Sequence, residues 1–276
     1  MTSFDVQNLF RVNGKVVLVT GGSRGIGKMI ATGFVKNGAK VYISSRTTKD
    51  CEETAKELNA LGPGKCVPIV ADMQKLSDVD KLVNEISSKE KALHVLVNNA
   101  GAAWGDKMDA YPDHAWTKVL TLNLHRVFTL TQKCLPLLRA AAKEGGKEGE
   151  ACLDPARIIN IGSVEGIIVP DHETYAYSAS KAGLHHLSRA MGGRLGWEGI
   201  TSNTIACGPF PSKMTAWSLK NEWGGVSTTI PLTRVGTPED VAGTALFLAS
   251  RAGAYVNAAT ITLDGGMTSA FPHSRL

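Results

Sequence analysis

Short apolar runs rich in Val and Ile alternate along this chain with longer stretches in which apolar positions recur every three or four residues. The short runs fall at 15–19, 40–44, 66–70, 93–97, 157–161, 200–205 and 259–263, and each predicts a strand. Between them the spacing predicts helices over 26–36, 51–61, 78–86, 116–139, 177–195 and 238–250. In the first helix the apolar positions are 26, 29, 30, 34 and 35, and Gly62-Pro63-Gly64 stops the second. Strands separated by helices need crossover connections, so the sheet is expected to be parallel and covered on both faces. The prediction is a doubly wound α/β fold with a seven-stranded parallel sheet. Residues 93–97 are bulky and apolar, as suits a central strand buried on both sides. The stretch 140–155 is low in complexity and reads as an exposed loop inserted before the fifth strand.

Composition narrows the partners. A chain of 276 residues is long enough for one large domain or two small ones. No composition break divides it, so a single domain over 1–276 is expected, with 1–11 as an N-terminal extension. With 43% hydrophobic residues and 20% charged, disorder is excluded. The net charge is +5 and the basic residues are scattered, so no nucleic-acid partner is expected. No apolar run reaches about 18 residues, so no membrane partner is expected. The first residues lack the basic and apolar regions of a secretory signal. Five cysteines without a CxxC pair fit a reducing compartment and argue against a zinc site or a disulfide framework.

The first strand runs into Thr20-Gly21-Gly22-Ser23-Arg24-Gly25-Ile26-Gly27 and then into a helix. Glycines at 21, 25 and 27 permit a tight turn and a close approach to a ligand. The free N–H groups of the helix N-terminus suit a pyrophosphate. This T-G-x-x-x-G-x-G spacing resembles the classical short-chain dehydrogenase/reductase family, over roughly residues 12–267. The resemblance implies a Rossmann-type fold and a nicotinamide dinucleotide held by Gly21, Ser23, Arg24, Gly25, Ile26 and Gly27.

The second strand ends in Ser44-Ser45-Arg46. An acid at its end would hold a free ribose 2′-hydroxyl, whereas a 2′-phosphate needs positive charge and no carboxylate. Ser45 stands where NAD-dependent relatives carry Asp. With Arg46 beside it and Arg24 in the turn, the expected cofactor is NADP(H); the alternative is two solvated arginines. By resemblance, Asp72 meets the adenine, Met73 offers backbone contacts, and Asn99, Ala100 and Gly101 of an N-N-A-G motif shape the adenosine side.

Tyr177 and Lys181 stand at i and i+4, on one face of the fifth predicted helix. An ammonium near a phenol lowers its pKa toward a useful acid/base range. Tyr175, six residues from Lys181, is off that face. Ser163 lies just past the fifth strand and Asn123 inside the long helix. These four match the family's Asn-Ser-Tyr-Lys tetrad. The match implies that Tyr177 exchanges a proton with the substrate oxygen. Lys181 would lower the tyrosine pKa and bond the nicotinamide ribose. Ser163 would steady the oxyanion, and Asn123 would hold a water that links Lys181 to solvent.

After the sixth strand, Asn203 and Gly208 fit the family's N-x-x-x-P-G-x-x-x-T, while Cys207 replaces proline and Ser212 replaces threonine. Backbone around Phe210 is expected at the nicotinamide carboxamide. Cys207 is either a reactive thiol or a small buried filler. A substrate lid is expected over 210–235, with Met214, Trp217, Leu219 and Trp223 apolar, Lys213 and Lys220 at the rim, and Trp104 opposite. The C-G-P-F-P-S-K-M run is similar to a β-ketoacyl reductase branch of the family. That implies NADPH-dependent reduction of a 3-oxoacyl thioester. An aromatic or polyketide ketone, a secondary alcohol, or a non-catalytic cofactor-binding scaffold are the alternatives. Ser274-Arg275-Leu276 resembles a peroxisomal address, so a peroxisome stands beside the cytoplasm as the expected location. A homo-oligomer, by family analogy a tetramer, is the expected assembly.

Overall fold

The computed structural model describes residues 4–212, 215 and 230–270. Its central sheet has seven strands in the order β3 (Lys65–Val70), β2 (Lys40–Ser45), β1 (Val16–Thr20), β4 (Val95–Asn98), β7 (Ala156–Ile161), β8 (Ile200–Cys207), β9 (Thr260–Leu263), all parallel. The strand pleat sends alternate side chains to opposite faces. Val17 and Val19 of β1 face one apolar cluster, with α2 (Gly25–Lys36), α3 (Thr48–Asn59) and α8 (Pro238–Ala249). Val16 and Leu18 face the other, with α4 (Leu76–Lys89), α6 (Arg126–Glu144) and α7 (Tyr175–Leu195). Helices on both faces explain why the strands read as continuous apolar runs.

The chain winds outward from β1 to β3, returns to β4 on the other side of β1, and winds outward again to β9. This reversal opens a crevice at the carboxyl ends of β1 and β4, where open α/β sheets bind ligands. The seven predicted strands are all present. Boundaries moved by a residue or two, because Leu93 and His94 precede β4 rather than open it.

Several helical expectations change; the helix expected over 51–61 spans Thr48–Asn59, and that expected over 78–86 spans Leu76–Lys89. The helix expected over 116–139 begins earlier, as α5 (Asp113–Leu120), and runs through a π-turn, Thr121–His125, into α6. The helix expected from 177 starts at Tyr175. The N-terminal extension holds one helical turn, α1 (Val6–Leu9), capped by Asp5. Thr237 and Asp240 form a reciprocal cap on α8, with Pro238 at its first position.

The exposed loop expected over 140–155 holds only in its middle. Residues 140–144 continue α6, with Ala141 and Ala142 buried. A hairpin of β5 (Lys147–Glu148) and β6 (Ala151–Cys152) follows. Its root is tied down by Asp154, which pairs with Lys15 at 2.9 Å and with buried Arg157 at 2.7 Å.

Most of the expected lid, including Lys213, Met214, Trp217, Leu219, Lys220 and Trp223, lies outside the described residues, as does Ser274-Arg275-Leu276. Among the described residues no helix is long and apolar enough to cross a membrane, and no cluster of three or more His, Cys, Asp or Glu side chains is arranged to hold a metal.

Candidate active site

The glycine turn leaves β1 at Thr20. Gly21 and Gly25 adopt φ of +65° and +51°, where a side chain is strained. At Gly27 the reason for glycine is packing. A Cβ there would lie 2.4 Å from both the Asn99 amide nitrogen and the Gly21 carbonyl oxygen. That Asn99 amide donates to Thr20 O at 2.8 Å and Gly21 O at 3.2 Å. The Thr20 hydroxyl accepts the Asn99 and Ala100 N–H groups at 3.0 Å each. The N-N-A-G segment therefore zips the end of β4 to the end of β1 and braces the turn from behind. Ser23 is fixed through its carbonyl, which accepts the Thr54 hydroxyl at 3.0 Å.

Arg24 enters α2 in extended backbone, and no side chain caps the helix. The N–H groups of the first turn, Gly25, Ile26 and Gly27, are left for an anion. A turn with this opening fits a dinucleotide pyrophosphate. Ser212 borders the same turn, 3.4 Å from where a Cβ on Gly25 would sit.

At the end of β2 the half-buried Ser45 donates its hydroxyl to Thr47 O at 3.1 Å, and Arg46 is exposed beside it. Arg24 is exposed too, and neither guanidinium has an ion-pair partner among the described residues. Asp72 follows β3. Its carboxylate accepts the Gln74 N–H at 3.0 Å, and its own N–H donates to Asp78 at 2.9 Å. Met73 is buried in the second cluster.

Ser163 sits two residues past the end of β7. Its hydroxyl accepts the Glu165 N–H at 3.2 Å and lies near the Tyr177 phenol, whose pKa it lowers. Lys181 donates to Ile161 O at 2.7 Å, with its Nζ 5.6 Å from the centre of the Tyr177 ring. Burial pushes Lys181 down to about 8, against opposing pulls from Cys207 and Glu165. Burial likewise raises Tyr177 above the usual phenol range; Ser163 opposes this and Glu165 adds to it. The expectation that Lys181 depresses the tyrosine pKa is therefore not met here. The ammonium faces the ring and a carbonyl oxygen, and desolvation of the phenolate dominates. Tyr177 holds its proton at neutral pH.

Asn123 lies in the π-turn, a distortion that recurs at functional sites. Its Oδ1 accepts the Ala102 N–H, and its Nδ2 donates to Ala102 O and to the Ser180 hydroxyl, each at 2.9 Å. Ser180 donates onward to Tyr177 O at 2.7 Å. Asn123 thus joins the turn after β4 to the turn of α7 that carries Tyr177 and Lys181. Gly101 closes against it, since a Cβ there would lie 3.3 Å from Asn123 Oδ1.

At the end of β8, burial pushes the Cys207 thiol up to about 12, which leaves it inert and supports the filler reading. Gly208 is pressed against Asp264, and Phe210 is buried against Gly236. Ser212 bonds the Thr215 hydroxyl at 3.0 Å.

Sequence reasoning missed His185, although it lies one turn beyond Lys181 on the same face. Its Nε2 accepts the Ser163 N–H at 3.4 Å, and a Cβ on Gly162 would meet it at 2.3 Å. Burial, then Lys181 and Arg189, lower its pKa to about 4. The folded protein therefore keeps His185 neutral, while the unfolded chain takes up a proton near 6.5. Between these values the unfolded state binds more protons, so His185 removes stability as pH falls from about 6.5 to about 4. Thermal unfolding from pH 7 to 4 is expected to show a steeper loss for the wild type than for His185→Gln. Parallel losses would contradict it.

A Rossmann-type sheet with a glycine turn beside an Asn-Ser-Tyr-Lys grouping defines a nucleotide-dependent oxidoreductase. The family described as short chain dehydrogenase matches residues 15–223, and the chain belongs to it. The rhamnolipids biosynthesis 3-oxoacyl-[acyl-carrier-protein] reductase of Pseudomonas aeruginosa is 42% identical over 260 residues, 93% of this chain and 97% of the relative. The 3-oxoacyl-[acyl-carrier-protein] reductase FabG of Thermotoga maritima is 32% identical over 257 residues, 93% of this chain and 99% of the relative. Among solved structures, the Pseudomonas aeruginosa RhlG/NADP active-site complex superposes with a TM-score of 0.87 at 42% identity, covering 95% of this chain and 99% of that one.

Proposed function

We propose that this oxidoreductase is an NADPH-dependent carbonyl reductase acting on a 3-oxoacyl thioester. The observation that carries the reading is the juxtaposition of the Ser163 hydroxyl and the Tyr177 phenol, beside Lys181, past the carboxyl end of β7. The names of the two relatives support the substrate class, and the NADP complex of the similar structure supports the cofactor.

Gly21, Ser23, Arg24, Gly25, Ile26 and Gly27 would hold the pyrophosphate, and Arg24, Ser45 and Arg46 the 2′-phosphate. Asp72, Met73, Asn99, Ala100 and Gly101 would line the adenosine side. Tyr177, Lys181, Gly208, Phe210 and Ser212 would line the nicotinamide side. A reduced nicotinamide held there would supply the hydride for the carbonyl carbon. Ser163 binds the carbonyl oxygen and stabilises the charge that develops there. Tyr177 delivers its proton to that oxygen, so that C=O becomes CH–OH. Lys181, beside the Tyr177 ring, would bond the nicotinamide ribose, and Asn123 keeps the helix turn that carries both in place.

An NADPH-oxidation screen over 3-oxoacyl thioesters, quinones and aromatic ketones tests the substrate class. The 3-oxoacyl thioesters are expected to give a kcat/KM at least about tenfold above the others, a difference of about 1.4 kcal/mol at the transition state. A preference for an aromatic ketone would replace the substrate assignment. Family analogy supports a homotetramer, and Ser274-Arg275-Leu276 supports a peroxisomal address beside a cytoplasmic one.

A further inference from the structure

The structure assigns Glu165 the role of a positioning residue that ties the Ser163 turn to the N-terminus of α7 and so sets the geometry of the Ser163–Tyr177 pair. The inference rests on the reading of Tyr177 as the proton donor. Glu165 contacts both sides of the pair. Its backbone N–H donates to Ser163 Oγ at 3.2 Å. Its Oε2 accepts the Thr174 hydroxyl at 2.5 Å and the Ser178 hydroxyl at 3.1 Å. Thr174 precedes α7 and Ser178 follows Tyr177, so one carboxylate oxygen brackets the tyrosine.

The local chemistry favours a carboxylate here. Thr174 is the N-cap of α7, yet its side chain makes no capping bond to the helix. It donates instead to Glu165, which brings negative charge to the positive end of a 21-residue helix. The Tyr111 hydroxyl accepts the Ala176 N–H at 3.3 Å at the same helix end. Gly166 is closely packed as well, since a Cβ there would lie 2.8 Å from Ala182 N and from His185 Cε1. The turn from Ser163 to Gly166 is thus gripped by Glu165 on one side and by His185 on the other.

The charge has a second effect. The groups around the acid are Ser163 and Glu165 from the turn, Lys181 and His185 from α7, Cys207 from β8 and Asn123 from the π-turn, with Arg189 acting on His185. Glu165 strengthens proton binding on both Tyr177 and Lys181. Removing its charge alone weakens that binding.

The test compares Glu165→Gln, which keeps an acceptor oxygen, with Glu165→Ala, which keeps neither oxygen nor charge. Both are assayed as the full chain for NADPH-dependent reduction across pH, with Tyr177→Phe alongside. In Glu165→Gln the alkaline limb of kcat is expected to move to lower pH by about 0.3 or more. In Glu165→Ala kcat is expected to fall about ten- to a hundredfold through misplacement of the pair, while the KM for NADPH stays within about twofold. Glu165→Gln is expected to restore most of that kcat. An unmoved alkaline limb in Glu165→Gln overturns the proposal, whether or not Glu165→Ala folds. If Tyr177→Phe is inactive at that point, only the Glu165 role has failed. Activity in Tyr177→Phe removes the acid assignment, and the positioning role with it.

Discussion

Tyr177→Phe is expected to lower turnover by about three orders of magnitude and to leave NADPH affinity within about threefold. The substitution removes one oxygen from a half-buried residue. It deletes the proton donor, while the ring stays beside the Lys181 ammonium. Among the described residues the neighbouring hydroxyls are engaged elsewhere. Ser163 already accepts the Glu165 N–H, and Ser180 donates to the Tyr177 carbonyl. Tyr175 is bonded to Glu173 at 2.7 Å, away from the pair. Burial keeps the Tyr177 phenol protonated at neutral pH, which is the form a reduction needs. Steady-state kcat with a ligand titration of NADPH checks both halves. Retained turnover would move the acid elsewhere; lost NADPH binding would show a structural defect instead.

NADPH is expected to bind at least about tenfold more tightly than NADH, a preference of about 1.4 kcal/mol. Arg46→Asp is expected to reverse the order. A 2′-phosphate forms charge-assisted bonds with guanidinium groups, which are stronger than neutral ones. Arg24 and Arg46 are exposed, and the end of β2 carries Ser45 rather than a carboxylate. Aspartate at 46 would repel the phosphate and accept a bond from a free 2′-hydroxyl. Dissociation constants for both nucleotides, at fixed ionic strength because screening matters, decide the point. Equal affinities in the wild type would contradict the role of the two arginines.

The order of elements was legible because each strand of a sheet covered on both faces must be apolar on both sides. Tyr177 and Lys181 were legible through their i, i+4 spacing, and the turn through glycines whose reasons are backbone conformation at 21 and 25 and close packing at 27. What could not be read locally depends on partners distant in sequence. The root of the 145–155 hairpin is fixed by Asp154 on Lys15, a contact across 139 residues. His185 reads as one more residue on a helix until Gly162 and the Ser163 N–H are brought to it. Glu165 reads as a loop acid until α7 places Thr174 and Ser178 against its carboxylate. The direction of the Tyr177 shift was misjudged for a related reason. Spacing shows that an ammonium is near, but not how completely the phenol is removed from water.

The most direct measurement supplies a 3-oxoacyl thioester and NADPH carrying two deuterium atoms at nicotinamide C4, then reads the mass and position of label in the product. The expected product is the 3-hydroxyacyl thioester with one deuterium on carbon 3, formed by the wild type and not by Tyr177→Phe. Recovery of the unchanged 3-oxoacyl thioester, with NADPH consumed no faster than without protein, would contradict the assignment of this chain as a 3-oxoacyl reductase.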